Sequence, residues 1–135
     1  MSEIKSTPEG YTRTLRQTPV TLFRFSALTF NPHKIHYSVP WARDVEGHPD
    51  IVVHGPLNLI SILDLWRDTM RHSRQGDGGE DALSVPESII YRATSPVYVE
   101  EEYRIVLQGG DVRVLKGGGG GDKGDDVLVM KAEIK

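Results

Sequence analysis

Apolar positions in this chain follow two rhythms. Between residues 56 and 72, Leu59, Ile62, Leu63, Trp66 and Met70 recur at intervals of three and four, which is a helical stripe. Leu57, Ile60 and Leu65 widen that stripe and leave Asn58, Ser61, Asp64 and Asp68 as a narrow polar strip. The pattern predicts a helix from about Pro56 to His72, buried around most of its girth. Gly55-Pro56 opens it, with proline suited to the first helical position. Elsewhere the pattern suits strands. Val20–Phe25 is β-branched and aromatic and reads as a strand with Val20, Leu22 and Phe25 inward. After the helix come Ser88–Ala93, Val97–Leu107, Val112–Lys116 and Val127–Ile134, joined by short links that suit antiparallel hairpins.

The connecting segments complete the layout. Residues 1–18 show no apolar period and read as an N-terminal arm or an edge strand, ahead of a single domain over 19–135. Ser73–Ser84 has the composition of a loop, and Gly117–Asp126, with six glycines and three aspartates, that of a hairpin tip. From Ser26 to Asp50 periodicity dissolves, and Pro32, Pro40 and Pro49 forbid a long helix. A stretch this long without a period inside a small domain is more often functional than filler. The reading is α+β, with one long central helix cradled by an antiparallel sheet. Such a sheet leaves an exposed edge, so a homodimer is expected.

Bulk composition narrows the function. The 135 residues suit one domain with one modest core. The net charge is −3 and the basic residues are scattered, so no nucleic-acid surface is expected. No apolar run reaches the roughly 20 residues that span a bilayer, so no membrane partner is expected either. The absence of cysteine excludes disulfides and favours an intracellular protein. Residues 1–19 mix basic and acidic groups without an apolar core. They do not read as a secretory signal and only weakly as a mitochondrial presequence, so the expected location is cytoplasmic, with the mitochondrion as the alternative.

Chemistry concentrates in Phe30-Asn31-Pro32-His33-Lys34-Ile35-His36-Tyr37 and in Val52-Val53-His54-Gly55-Pro56-Leu57. His33, His36, His48 and His54 lack the spacing and the carboxylate or thiolate partners of a zinc site, so no metal is expected. The glycine run at 117–121 lacks the Lys-Ser/Thr ending of a phosphate loop, and no other cofactor is implied. Glu100, Glu101 and Glu102 read as a solvated strand edge. An imidazole at His36 takes and gives protons near neutral pH, while Asn31 holds a water or orients a carbonyl. The plainer alternative is that both serve loop backbone groups. Gly55 at a helix start exposes N–H groups where the helix dipole favours negative charge, although a tight turn explains Gly-Pro equally well. Tyr37 and Trp41 either wall a substrate channel or anchor their own loop.

These two stretches together, from Leu22 to Tyr37 and from Val52 to Leu57, resemble the MaoC-like hotdog-fold hydratases and dehydratases. The nearest branch holds the mitochondrial-type 3-hydroxyacyl-thioester dehydratases and the mesaconyl- or itaconyl-CoA hydratases. The resemblance covers roughly residues 11–107. It implies the hotdog fold, a sheet wrapped round one long helix and paired into dimers. It implies a lyase that adds or removes water across the α,β bond of an acyl thioester carried on CoA or a carrier protein. The family His falls on His36, and the family Asp falls on Asn31, which cannot be a base. The oxyanion-binding glycine falls on Gly55. His33, Tyr37, Trp41, Val53 and His54 would then contact substrate. Ser38 stands where an acidic residue is common. Members of the branch often carry two hotdog units per chain, of which this sequence matches the C-terminal type. Two other classes remain open: a secondary-metabolism tailoring dehydratase or isomerase on a non-CoA substrate, and a hotdog dimer that binds acyl groups without turning them over.

Overall fold

The computed structural model describes residues 3–8, 10–74, 85–117 and 125–135. Its elements in chain order are β1 (Ile4–Thr7), β2 (Gly10–Arg16), α1 (Pro19–Leu28), α2 (Val39–Asp44), α3 (Gly55–Arg74), β3 (Ile89–Ala93), β4 (Glu102–Gln108), β5 (Asp111–Gly117) and β6 (Asp126–Ile134). The six strands form one antiparallel sheet in the order β1-β2-β4-β5-β6-β3, with α3 laid across it. This is the hotdog architecture.

The core follows from alternation on one sheet face. Tyr103, Ile105 and Leu107 of β4, Val112 and Val114 of β5, and Met130, Ala132 and Ile134 of β6 are buried. They meet Ile62 and Leu65 of α3 in one continuous cluster. Gly109-Gly110 turns β4 into β5 with Gly109 at φ 58°, a conformation that favours glycine. A Cβ on Gly110 would collide with the Ile134 carbonyl.

Three sequence expectations are corrected. Val20–Phe25 is helix, not strand. Thr18 caps α1 by accepting the Thr21 N–H, and Pro19 sits in its first turn. Start signals and the burial of Leu22 and Ser26, four apart, override β-propensity. The segment read as an arm or an edge strand supplies β1 at the sheet's edge, as the second alternative had it, and also β2, which lies inside, paired to β4 from Tyr11 to Arg16. Glu102, not Val97, begins β4. Glu100 takes a positive φ of 63° and breaks the run, and Glu101 binds the Tyr98 N–H and Lys116 rather than lying on a free edge. The polar strip of α3 runs from buried to half-hydrated. Asn58 is buried, and Asp64 and Asp68 accept from the buried Arg13 of β2 at 3.0 and 2.6 Å. On the same helix the apolar Ile60 is exposed.

Helix α3 extends to Arg74, so Ser73 belongs to it, while the rest of the Ser73–Ser84 loop lies almost wholly outside the described residues. The tip of Gly117–Asp126 lies outside them too; its first residue ends β5 and its last begins β6. β3 forms the second edge, with Ile90 and Tyr91 exposed.

Candidate active site

The aperiodic loop is held by its own short-range bonds. Asn31 N–H donates to the Ser26 carbonyl at the end of α1. Asn31 Oδ1 accepts the His33 N–H at 3.1 Å, and His33 Nδ1 accepts the Ile35 N–H. Tyr37 Oη donates to the Pro32 carbonyl. This knot creates a single 3-10 turn over Lys34–His36. Ser38 then caps α2 by accepting the Trp41 N–H, the work an acidic residue would otherwise do there. Trp41 Nε1 donates to Glu46, and Lys34 lies over the Trp41 ring. Tyr37 and Trp41 therefore anchor the loop.

The turn delivers His36 against the second motif. Val52 N–H donates to the Ile35 carbonyl, and His36 Nδ1 donates to the Val52 carbonyl at 2.7 Å. The His36 ring stacks on His54 with centroids 3.7 Å apart and planes 17° from parallel. His54 is buried, meets Phe25 edge-on, and is hydrogen-bonded through Nε2 to Ser26 Oγ at 2.8 Å. Its Nδ1 is buried with no partner among the described residues. Burial holds the His36 pKa below the usual imidazole value. The bond to Val52 opposes this, and the neighbouring His33 adds to it. Burial, and then the charge His36 would carry, lower His54 to about 4. Both rings are neutral at pH 7.

His54 adjoins the start of α3. Val97–Val99 clamps Ile51–Val53 through Val53 N–H to the Val97 carbonyl and Val99 N–H to the Ile51 carbonyl. The N–H groups of Leu57 and Asn58 both donate to the His54 carbonyl, and Pro56 has none to give. The Gly55 N–H has no carbonyl partner among the described residues. Gly55 is not sterically required, since a Cβ there would meet nothing within 4 Å. A cleft of about 300 Å³ opens beside it, lined by Val52, Val53, Gly55 and Asn58 and closed by Ala93–Val97, Val129 and Met130. Asn58 Oδ1 is buried without a partner among the described residues.

The fold thus sets His36 against His54, the chain neighbour of Gly55, with Val53 and Gly55 in the cleft wall. His33 is exposed at the mouth of the turn, and His48 pairs with Tyr98 elsewhere. Ser26 and Asn58 went unnoticed in the sequence. Ser26 stood in a segment read as non-helical, so its spacing of four from Leu22 carried no meaning. Asn58 stood in the narrow polar strip of α3, and nothing in its spacing set it apart from Ser61, Asp64 and Asp68.

The family described as hydroxyacyl-thioester dehydratase type 2 matches residues 2–99. The chain belongs to that family. A mesaconyl-C(4)-CoA hydratase of Chloroflexus aurantiacus is 49% identical over 65 residues, covering 48% of this chain and 23% of the relative. A mitochondrial hydroxyacyl-thioester dehydratase type 2 of Schizosaccharomyces pombe is 31% identical over 90 residues, covering 67% of this chain and 27% of the relative. The chain thus spans about a quarter of the length of these curated relatives. Among solved structures, the HadBC 3R-hydroxyacyl-ACP dehydratase complex of Mycobacterium tuberculosis superposes with TM-score 0.63 at 19% identity, covering 98% of this chain and 93% of that one. The (R)-hydratase of A. caviae superposes with TM-score 0.59 at 16% identity, covering 91% of this chain and 89% of that one. These structures establish the hotdog fold. No helix among the described residues is long and apolar enough to cross a membrane.

Proposed function

We propose that this chain adds or removes water across the α,β bond of an acyl thioester. The observation that carries the reading is the seating of His36 on His54, the residue immediately before Gly55. A base and an unpartnered N–H at a helix start are thereby brought to the same region. The Val52 carbonyl accepts the Nδ1 hydrogen, so Nε2 keeps its lone pair and is the basic atom. In the dehydration direction, the thioester carbonyl docks on the Gly55 N–H, whose hydrogen bond and helix dipole stabilise the enolate oxygen. His36 Nε2 removes the α-proton. The electron pair forms the α,β bond as the C3–O bond breaks, and the same proton leaves with the hydroxyl as water. Hydration reverses each step. Asn31 Oδ1 is committed to the His33 N–H, which leaves its NH₂ group to hold the substrate oxygen.

The substrate class follows from family membership and from the names of the relatives, which act on hydroxyacyl thioesters and on a CoA ester. The acyl chain occupies the cleft beside Gly55. The partner surface is edge strand β3, where Ile90 and Tyr91 are exposed and the ladder ends. A second hotdog unit, most simply another copy of this chain, covers it. The compartment that accompanies this reading is the cytoplasm, or the mitochondrion named for the fission-yeast relative.

The test is incubation with crotonyl-CoA while following loss of the enoyl absorbance. Turnover that disappears in His36→Ala supports the proposal. Tight binding of the thioester without turnover would convert the reading to that of an acyl-binding hotdog unit.

A further inference from the structure

Resting on the lyase reading above, the arrangement behind His36 carries a second role. We propose that Ser26, acting through His54, is a positioning residue for the His36 base. The His54 ring lies against His36, while its backbone joins the cleft residues Val53 and Gly55 and accepts the Asn58 N–H. One face of the ring stacks on His36 at 3.7 Å, Phe25 meets the ring at 67° with centroids 4.8 Å apart, and Nε2 lies 2.8 Å from Ser26 Oγ. In this proposal His54 supports the base rather than contacting substrate. It is a flat plate behind the base, and Ser26 is the only side chain among the described residues that holds the plate by a hydrogen bond.

The tautomer follows from the same contacts. A buried N–H without an acceptor is rarer and more costly than a buried lone pair without a donor. His54 Nδ1 has no partner, so the hydrogen resides on Nε2 and is donated to Ser26 Oγ. That bond fixes the rotation of the ring and so the plane on which His36 lies. When His36 takes the α-proton, its imidazolium rests on the π-face of a neutral ring, a favourable contact for a cation. A free-swinging or charged His54 would offer neither. The titratable group facing this pair from outside it is His33, whose ring lies 5.9 Å from His36. Phe25 and Ser26 of α1 and the Val52 carbonyl supply the remaining surroundings, and none of them titrates.

The experiment uses the full chain and two readouts. The first is kcat and KM on crotonyl-CoA. The second is the NMR titration of the His36 ring, which needs no turnover. Ser26→Ala is expected to lower kcat about tenfold, with KM held within about threefold, because a misaligned base slows chemistry more than binding. The His36 titration midpoint is expected to rise toward its ordinary value as water reaches the loosened stack. Ser26→Cys keeps the volume but offers a weak partner and falls between. His54→Phe keeps a flat ring and holds the midpoint low, whereas His54→Ala lets it rise. An unchanged His36 titration and a kcat within about twofold of wild type in folded Ser26→Ala would overturn the proposal. Should Ser26→Ala not fold, the contrast between His54→Phe and His54→Ala decides: equal midpoints reject the plate. If the wild type turns over no thioester, the titration still answers for Ser26, and only the lyase reading fails.

Discussion

The Val52 carbonyl accepts the Nδ1 hydrogen of His36 at 2.7 Å, and so decides which face of the ring is basic. A carbonyl cannot donate, so Nε2 is left with its lone pair directed away from the backbone. This contact ties the two motifs, sixteen residues apart, into one unit. It predicts that removing the imidazole removes chemistry rather than binding. His36→Ala and His36→Gln should lower kcat on crotonyl-CoA by about 100-fold or more, with KM little changed. Near-normal turnover in either variant would exclude His36 as the proton carrier.

The pH profile follows from the environment of the same ring. Burial lowers the His36 pKa and the Val52 bond only partly offsets it. The base form therefore persists below the usual imidazole midpoint of 6.5. The acid limb of kcat/KM is expected to have its midpoint under that value and to move upward in His54→Ala. A limb centred above 6.5 would mean that another group limits the rate.

His54 gives a stability prediction of definite sign. Its folded pKa, about 4, lies below the ordinary imidazole value of 6.5 that the unfolded chain retains. Between those values the unfolded chain binds more protons. Stability is then fully present above pH 6.5 and is lost as pH falls toward 4. The whole effect is on the order of 3 kcal/mol. Urea midpoints at pH 7 and pH 4.5 should differ less in His54→Phe than in wild type. Equal pH dependence in the two proteins would show that carboxylates elsewhere account for it.

Gly55 separates steric need from function. A Cβ there meets nothing within 4 Å, so Gly55→Ala is expected to fold with an unfolding midpoint at or above that of wild type, and Gly55→Val to fold as well. If the thioester carbonyl approaches this N–H, a branched side chain obstructs it, and kcat/KM in Gly55→Val should drop at least about tenfold. A variant that keeps full kcat/KM would place the carbonyl elsewhere.

How much of this was legible beforehand depends on the reach of each signal. The apolar stripe of α3 and the four later strands were visible because burial there follows a local period. Val20–Phe25 was misread because its β-branched and aromatic residues outweighed the Thr18-Pro19 start, whose force depends on what the helix packs against. The Arg13 pair with Asp64 and Asp68 spans more than fifty residues and has no local trace. The likeness to the family led to His36 and Gly55. What lies between them, the Ser26–His54 anchor and the clamp by Val97–Val99, depends on tertiary contacts.

That Arg13 clamp carries its own prediction. The guanidinium is buried while its two aspartates are partly hydrated, with side-chain exposures of 46% and 29%. Solvent screens the carboxylate end, so the loss should fall short of that for a fully buried pair. Arg13→Leu is expected to cost about 2 kcal/mol in urea unfolding, without altering KM. A change below about 0.5 kcal/mol would show that the pair is energetically neutral.

Asn58 sets stability against function. It lines the cleft from the first turn of α3, 3% exposed, with Oδ1 lacking a partner among the described residues. Leaving such an oxygen unpaired costs about 1–3 kcal/mol, and asparagine is a poorer helix former than leucine. Asn58→Leu should therefore stabilise the fold by about 1 kcal/mol or more, seen as a higher urea midpoint. An unstable polar group kept beside a cleft implies that something bound there uses it. The terminal torsion of asparagine is soft, so the carboxamide can turn toward an acyl chain that carries a hydrogen-bonding group. The stabilised variant is then expected to lose activity on 4-hydroxy-2-butenoyl-CoA while keeping it on crotonyl-CoA. Equal effects on both thioesters would leave Asn58 with no part in reading the acyl group. A lower urea midpoint would show that its oxygen is satisfied in solution.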